Sequence, residues 1–353
     1  MIRSKKIFRR SRIAGLFWFA GLFAFMWLYW WFMANVVIQD FRDPQYVMKY
    51  ELLRARLAEN PGRPLWLVIG TSRVERGLCP AIINDARAGP GSPLVYNFGL
   101  GGAGLFRDFI CLHRVLEAGI RPRVVGIEVF GALLNGDLLD PTDAPGLLVR
   151  ARKNEIADYM RDAGNPDFFL RTWRHSRWDP FDPNGMRMSG QTLSWRLLPL
   201  PGVRRLEKVP YDKWGWYPER PAPIPEASYQ RGLAIAKAQL ANRFIDFKIS
   251  PRCDAPLRGM LDMCKNAGIP VFLLKMPEDA DFRALYTPQA DMEIQSYLAQ
   301  IGKEYHVPLI DATFWFGKEA FTDGHHLNAT GAEEFTRRLA GELSKLGSSP
   351  GLR

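Results

Sequence analysis

From Ile13 to Ile38 no side chain carries a charge, and Asn35 is the only strongly polar one. At 1.5 Å per residue a helix of that length crosses a hydrocarbon layer of ~30 Å. Trp27, Tyr29, Trp30, Trp31 and Phe32 crowd its far end, where aromatic rings favour the lipid–water boundary. No small-x-small exit follows, so the pattern predicts an uncleaved anchor rather than a signal peptide. Residues 44–60 then carry apolar positions at helical spacing and stop at Pro61-Gly62, a helix leading away from the anchor.

Beyond it, short apolar runs alternate with longer amphipathic stretches. The runs are Leu65–Ile69, Leu94–Phe98, Val124–Val129, Val271–Leu274 and Leu309-Ile310; the stretches are Leu105–Ala118, Pro256–Ala267, Asp291–Tyr305 and Ala329–Leu346. Continuous apolar strands separated by helices predict a parallel sheet covered on both faces, a three-layer α/β/α domain. Residues 130–250 break the rhythm. They are rich in Pro, Arg and aromatics, including Trp173, Trp178, Trp195, Trp214, Trp216 and Tyr217. So long an insertion reads as a lid or binding element. Two readings stand for its rings: they pack a small core of their own, or they offer a platform for a sugar or an acyl chain, with Trp214, Trp216 and Tyr217 as the substrate-binding candidates. The organisation is thus a basic segment (1–12), an anchor (13–38), a linker helix (39–61), an α/β domain from 62–129 and 251–348, and the insertion.

Charge changes the picture through its placement. The chain has 353 residues and a net charge of +10. Six of the basic residues, Arg3, Lys5, Lys6, Arg9, Arg10 and Arg12, precede the first acid, Asp40. Basic residues before an apolar span predict a cytoplasmic N-terminus and an extracytoplasmic remainder. From residue 40 onward the count falls to 41 basic against 37 acidic, an ordinary surface that asks for no nucleic acid. Cys79, Cys111, Cys253 and Cys264 match neither a zinc motif nor a disulfide scaffold. A single disulfide and buried free thiols are both compatible with an oxidising compartment.

Open parallel sheets place ligands beyond the carboxyl ends of their strands, which directs attention to three loops. They hold Gly70-Thr71-Ser72-Arg73, Asn97-Phe98-Gly99-Leu100-Gly101-Gly102-Ala103-Gly104, and Asp323-Gly324-His325-His326-Leu327-Asn328. The run Gly99–Gly104 also satisfies G-x-G-x-x-G, but a dinucleotide fingerprint belongs in the first strand–helix unit and this is the second. Asp323, His325 and His326 would be a strained metal set, since all three come from four consecutive residues. No cofactor and no metal are expected.

With a serine in a Gly-x-Ser turn, a glycine loop after the second strand and an Asp-x-x-His before the last helix, the chain resembles the SGNH (GDSL-like) hydrolase superfamily. Gly77, Pro80, Asn97-x-Gly99, Gly102 and Asp323-x-x-His326-Leu327-Asn328 are similar, more narrowly, to a membrane-anchored branch that includes alginate O-acetyltransferases and the D-alanyl transfer proteins of teichoic acid synthesis. The resemblance covers residues 62–130 and 268–346 and leaves the insertion out. It implies a serine-dependent acyltransferase, with acetyl as the expected group, acting on a cell-surface or exported polysaccharide, and a multi-pass membrane acyltransferase as partner. On that pattern Ser72 is the nucleophile, His326 the base and Asp323 the group that holds the imidazole tautomer. The N–H groups of Ser72 and Gly102 form an oxyanion hole. Arg73, Asn97, Glu128 and Asn328 are supporting candidates. The family's third oxyanion donor, an asparagine after the third strand, is missing, and Gly126-Ile127-Glu128 stands there. Two other functions remain open: an esterase or deacetylase of the same fold, and a non-catalytic assembly protein of a polysaccharide export complex.

Overall fold

The computed structural model describes residues 2–32, 43–86, 89, 91–135, 152, 155 and 211–347. Most of the insertion before Tyr211, with Trp173, Trp178 and Trp195, lies outside the described residues, as do residues 33–42 at the far end of the expected anchor. Two compact units divide the chain. One holds the first helix; the other holds the described residues from Gln45 onward, apart from Arg152 and Glu155.

The first unit contributes α1 (Ile2–Phe32), whose segment Arg12–Tyr29 has a mean hydropathy of 1.4. By length and composition it is apolar enough to cross a membrane.

The second unit opens with α2 (Pro44–Glu59) and continues through β1 (Leu65–Gly70), α3 (Ser72–Gly77), α4 (Ala81–Ala86), β2 (Leu94–Gly99), α5 (Leu105–Glu117) and β3 (Val124–Glu128). After the insertion come α6 (Glu226–Leu240), α7 (Pro251–Asn266), β4 (Val271–Lys275), α8 (Ala280–Arg283), α9 (Pro288–Tyr305), β5 (Leu309–Asp311) and α10 (Ala329–Gly347). The five strands form one parallel sheet in the order β2-β1-β3-β4-β5. Every residue of β2 and β3 is buried, as expected of strands covered on both faces. The order reverses at β1, so the crossovers before and after it run in opposite directions along the sheet. α5 packs with α7, and α10 packs with α3 and α4.

α7 and α9 begin earlier than their apolar periodicity suggests. Ser250 and Thr287 accept from the N–H groups of Arg252 and Ala290, and Pro251 and Pro288 follow in the first turn. Serine or threonine as cap with proline next is a start signal independent of the apolar stripe. The insertion, read from sequence as irregular, contains α6. Tyr229, Leu233 and Ala236 form its buried stripe, at the i, i+4, i+7 spacing of one helical face. All four cysteines are buried, and no disulfide joins them.

Candidate active site

Ser72 is the first residue of α3, two residues past the end of β1. Its own N–H therefore belongs to the turn that a helix leaves without an intrahelical acceptor. Thr71 caps the helix by accepting from Arg73 N, while its own N–H donates to Glu128 Oε2 at 2.7 Å. The strand-to-helix turn is thus pinned from the end of β3.

The last loop brings the other two groups. Ser72 Oγ lies 2.7 Å from His326 Nε2, and His326 Nδ1 lies 2.7 Å from Asp323 Oδ2. The carboxylate accepts from Nδ1–H, which turns the Nε2 lone pair towards Ser72. Asp323 Oδ1 accepts from the backbone N–H groups of His326 and His325 at 2.8 and 3.2 Å. Thr322 N–H donates to His326 O at 2.9 Å and closes the turn on itself. Asp323 and His326 are thereby held by one small loop.

Burial strips water from His326, and with the nearby charge of His325 this outweighs Asp323 and pushes the imidazole down to about 4. Burial works the other way on Asp323, but the charge of His326, its hydrogen bond and the close approach of His325 hold the carboxyl well below its usual range. At neutral pH the pair is an ionised carboxylate and a neutral imidazole, the state in which a histidine accepts a proton.

Gly102 lies in the loop between β2 and α5, exposed and at φ +67°. Leu100 N–H donates to Gly70 O at 2.9 Å and fastens this loop to the end of β1. Open space surrounds the position a Cβ would take at Gly102, so the backbone angle rather than crowding favours glycine there. Gly99 is the opposite case: a Cβ would come within 2.3 Å of Glu75 N, so only glycine lets α3 sit this close.

Asn97 and Asn328 serve the backbone. Fully buried, Asn97 donates to Val74 O and Leu78 O at 2.8 and 2.7 Å and accepts from Gly99 N–H, tying β2 to α3. Asn328 accepts from Gly331 N–H at the start of α10 and donates to Glu319 O. Arg73 points away from the serine. Its guanidinium lies 3.0 Å from Glu278 and 3.7 Å from Glu128, bonds to Met276 O and Pro277 O, and covers the Phe130 ring at 4.2 Å. Burial raises Glu128 and Arg73 opposes that rise. Glu128 therefore orients the Thr71 turn and Arg73 and offers no donor to an oxyanion.

The end of the insertion clamps α3. Asn97 N–H donates to Trp214 O, Tyr217 N–H to Glu75 O and Trp216 Nε1 to Arg76 O, while Arg76 pairs with Glu219 at 2.8 Å. Trp214 is only 4% exposed, so its ring fills the core and presents no face to a sugar. Trp216 and Tyr217 are half-buried beside Arg76. Lys49 of α2, fully buried, bonds Asn97 O and Gly215 O beneath this clamp. Desolvation lowers Lys49 to about 7, against the pull of Glu75 and Asp212. Sequence reasoning missed Lys49, a lone lysine among apolar neighbours, and Gly232 of α6, which abuts Asp323.

Asp323, His325 and His326 are also the one group of three among the described residues with metal-ligating atoms close together, within 4.8 Å. Asp323 already accepts from protein groups at both oxygens, and His326 Nε2 faces Ser72, so protein partners occupy this set.

A model of an uncharacterised family matches residues 234–347, which take in β4, β5 and the Asp323–Asn328 loop but not Ser72. No curated protein matches the sequence.

Proposed function

We propose that this chain is a single-pass membrane protein of the SGNH-like kind, whose extracytoplasmic domain transfers an acyl group, acetyl on this reading, to a hydroxyl of a cell-surface or exported polysaccharide. The observation that carries the reading is the Ser72–His326–Asp323 relay, with two contacts of 2.7 Å. The order β2-β1-β3-β4-β5 supports it, because all three residues follow strand ends. Ser72 Oγ attacks the acyl carbonyl as His326 Nε2 takes its proton. The N–H groups of Ser72 and Gly102 receive the oxyanion, and the leaving group departs with the proton from His326. An acceptor hydroxyl then gives its proton to His326 and attacks the acyl-serine, which frees Ser72 Oγ to take the proton back. The anchor and its six flanking basic residues support the orientation. The acyl donor on this reading is a multi-pass membrane acyltransferase that carries the group across the bilayer.

The test is to incubate the detergent-solubilised chain with an acetyl ester, with and without oligosaccharide. Transfer predicts acetylated sugar that disappears in Ser72→Ala. Free acetate alone would make the protein an esterase. Full acylation of the polymer in cells expressing Ser72→Ala would leave only an assembly role.

A further inference from the structure

We infer that His325 is a positioning residue of this site: its ring faces one carboxylate oxygen of Asp323 and lies against the His326 ring, where a charge on it opposes a proton on His326. The inference rests on the relay proposed above. His325 is 9% exposed and sits in an aromatic slot. Its ring centroid is 4.9 Å from that of Phe282 at 20° and 6.1 Å from that of Phe130 at 13°, and Phe130 carries Arg73 on a face. An apolar side chain would fill this slot at lower cost, because a buried imidazole gives up its hydration. What the imidazole adds is directed at the relay. Nδ1 lies 3.2 Å from Asp323 Oδ1, off the line of a hydrogen bond but within ion-pair distance, and the ring centroid is 4.0 Å from that of His326.

Asp323 therefore has one oxygen towards each histidine. A proton on His325 faces the carboxylate directly and opposes a second proton on His326, since like charges this close repel strongly in a buried site. His326 stays a free base to lower pH than Asp323 alone would allow. Other ionisable groups face the pair from two elements: Arg76 of α3, paired with Glu219, and Tyr229 of α6, bonded to Asp279. Phe282 and Phe130 bring no charge. Burial, followed by the charge of His325, holds the His326 imidazole low.

The test compares the full-length, detergent-solubilised protein with His325→Phe, which keeps the ring stack, and His325→Gln, which keeps polarity without charge. Two readouts are taken: the pH dependence of Ser72 labelling by a fluorophosphonate, and the titration of the His326 ring by nitrogen NMR. The expected result in both variants is a rise of about one pH unit in the His326 midpoint, with labelling well below that midpoint down about tenfold. An unmoved midpoint in both variants would overturn the inference and leave His325 as slot filler. If wild type itself is not labelled at Ser72, the acyltransferase reading fails first, and the NMR midpoint still decides the role of His325.

Discussion

Gly232 links the insertion to the chemistry more directly than any aromatic residue. A Cβ built at this position of α6 would lie 2.7 Å from Asp323 Cβ and 3.2 Å from Thr322 O. Non-bonded carbons settle at about 3.5–4.0 Å, so Gly232→Ala forces a separation of about 1 Å. The atom met is a Cβ next to backbone, which cannot swing aside as the tip of a long side chain would. α6 is itself held by the Tyr229–Asp279 hydrogen bond and by Leu233 beneath Gly324, so the Asp323 turn takes up the shift. A displacement of 1 Å in a positioning group costs about 100-fold in rate. Alanine also favours a helix over glycine by about 0.8–1 kcal/mol, so α6 itself is not weakened. Ser72 labelling in Gly232→Ala should therefore fall about 100-fold while circular dichroism and the melting temperature stay close to wild type. Labelling at the wild-type rate would refute the claim that α6 supports Asp323, and joint loss of labelling and fold would make Gly232 a core residue only.

Further outcomes follow from groups around the relay. With His326 down to about 4, labelling should hold its plateau from neutral pH to about pH 5 and fall below that; a midpoint near 6.5, the ordinary histidine value, would contradict the buried imidazole. Lys49 is lowered to about 7 from about 10.4 in the unfolded chain, so between these values the unfolded state binds more protons and stability rises with pH. Relative to Lys49→Met, the urea-unfolding free energy of wild type should climb by about 1.4 kcal/mol per pH unit from pH 7 to 10 and run parallel below 7; parallel curves throughout would show that Lys49 keeps its ordinary proton affinity. Glu128→Ala leaves Thr71 N–H and one side of Arg73 without an acceptor, at a cost of about 1–3 kcal/mol, and should slow labelling, whereas Glu128→Gln can still accept from Thr71 and should retain more of both. Equal behaviour of the two variants in melting and labelling assays would remove Glu128 from the account.

Much of the fold was legible because it is written in local pattern. The apolar runs at residues 65–69, 94–98, 124–129, 271–274 and 309–310 coincide with the five strands, since buried parallel strands need apolar side chains on both faces. Strand order and the pinning of α3 were not legible, because they depend on pairs far apart in the chain. Glu128 with Thr71 and Lys49 with Gly215 are examples. α6 was overlooked although its Tyr229, Leu233, Ala236 spacing was present, because the prolines and tryptophans around it set the impression of irregular chain. At the site, Ser72, Asp323 and His326 stood out by residue type and spacing. The service of Asn97 and Asn328 to backbone groups could not, since an amide that bonds substrate and one that caps a helix look alike in sequence. Trp214 shows the same limit: exposure, which decides whether a ring can meet a sugar, is a tertiary property.

The central claim is that Ser72 carries the acyl group. It is tested most directly by acid-quenching the detergent-solubilised protein during turnover of an activated acetyl ester and locating the modified peptide by mass spectrometry. The account predicts one added acetyl group on Ser72, absent in Ser72→Ala and reduced at least about 100-fold in His326→Ala. Acetyl on Ser72 in equal amount without His326, or no acetyl on Ser72 while the ester is consumed, would contradict it.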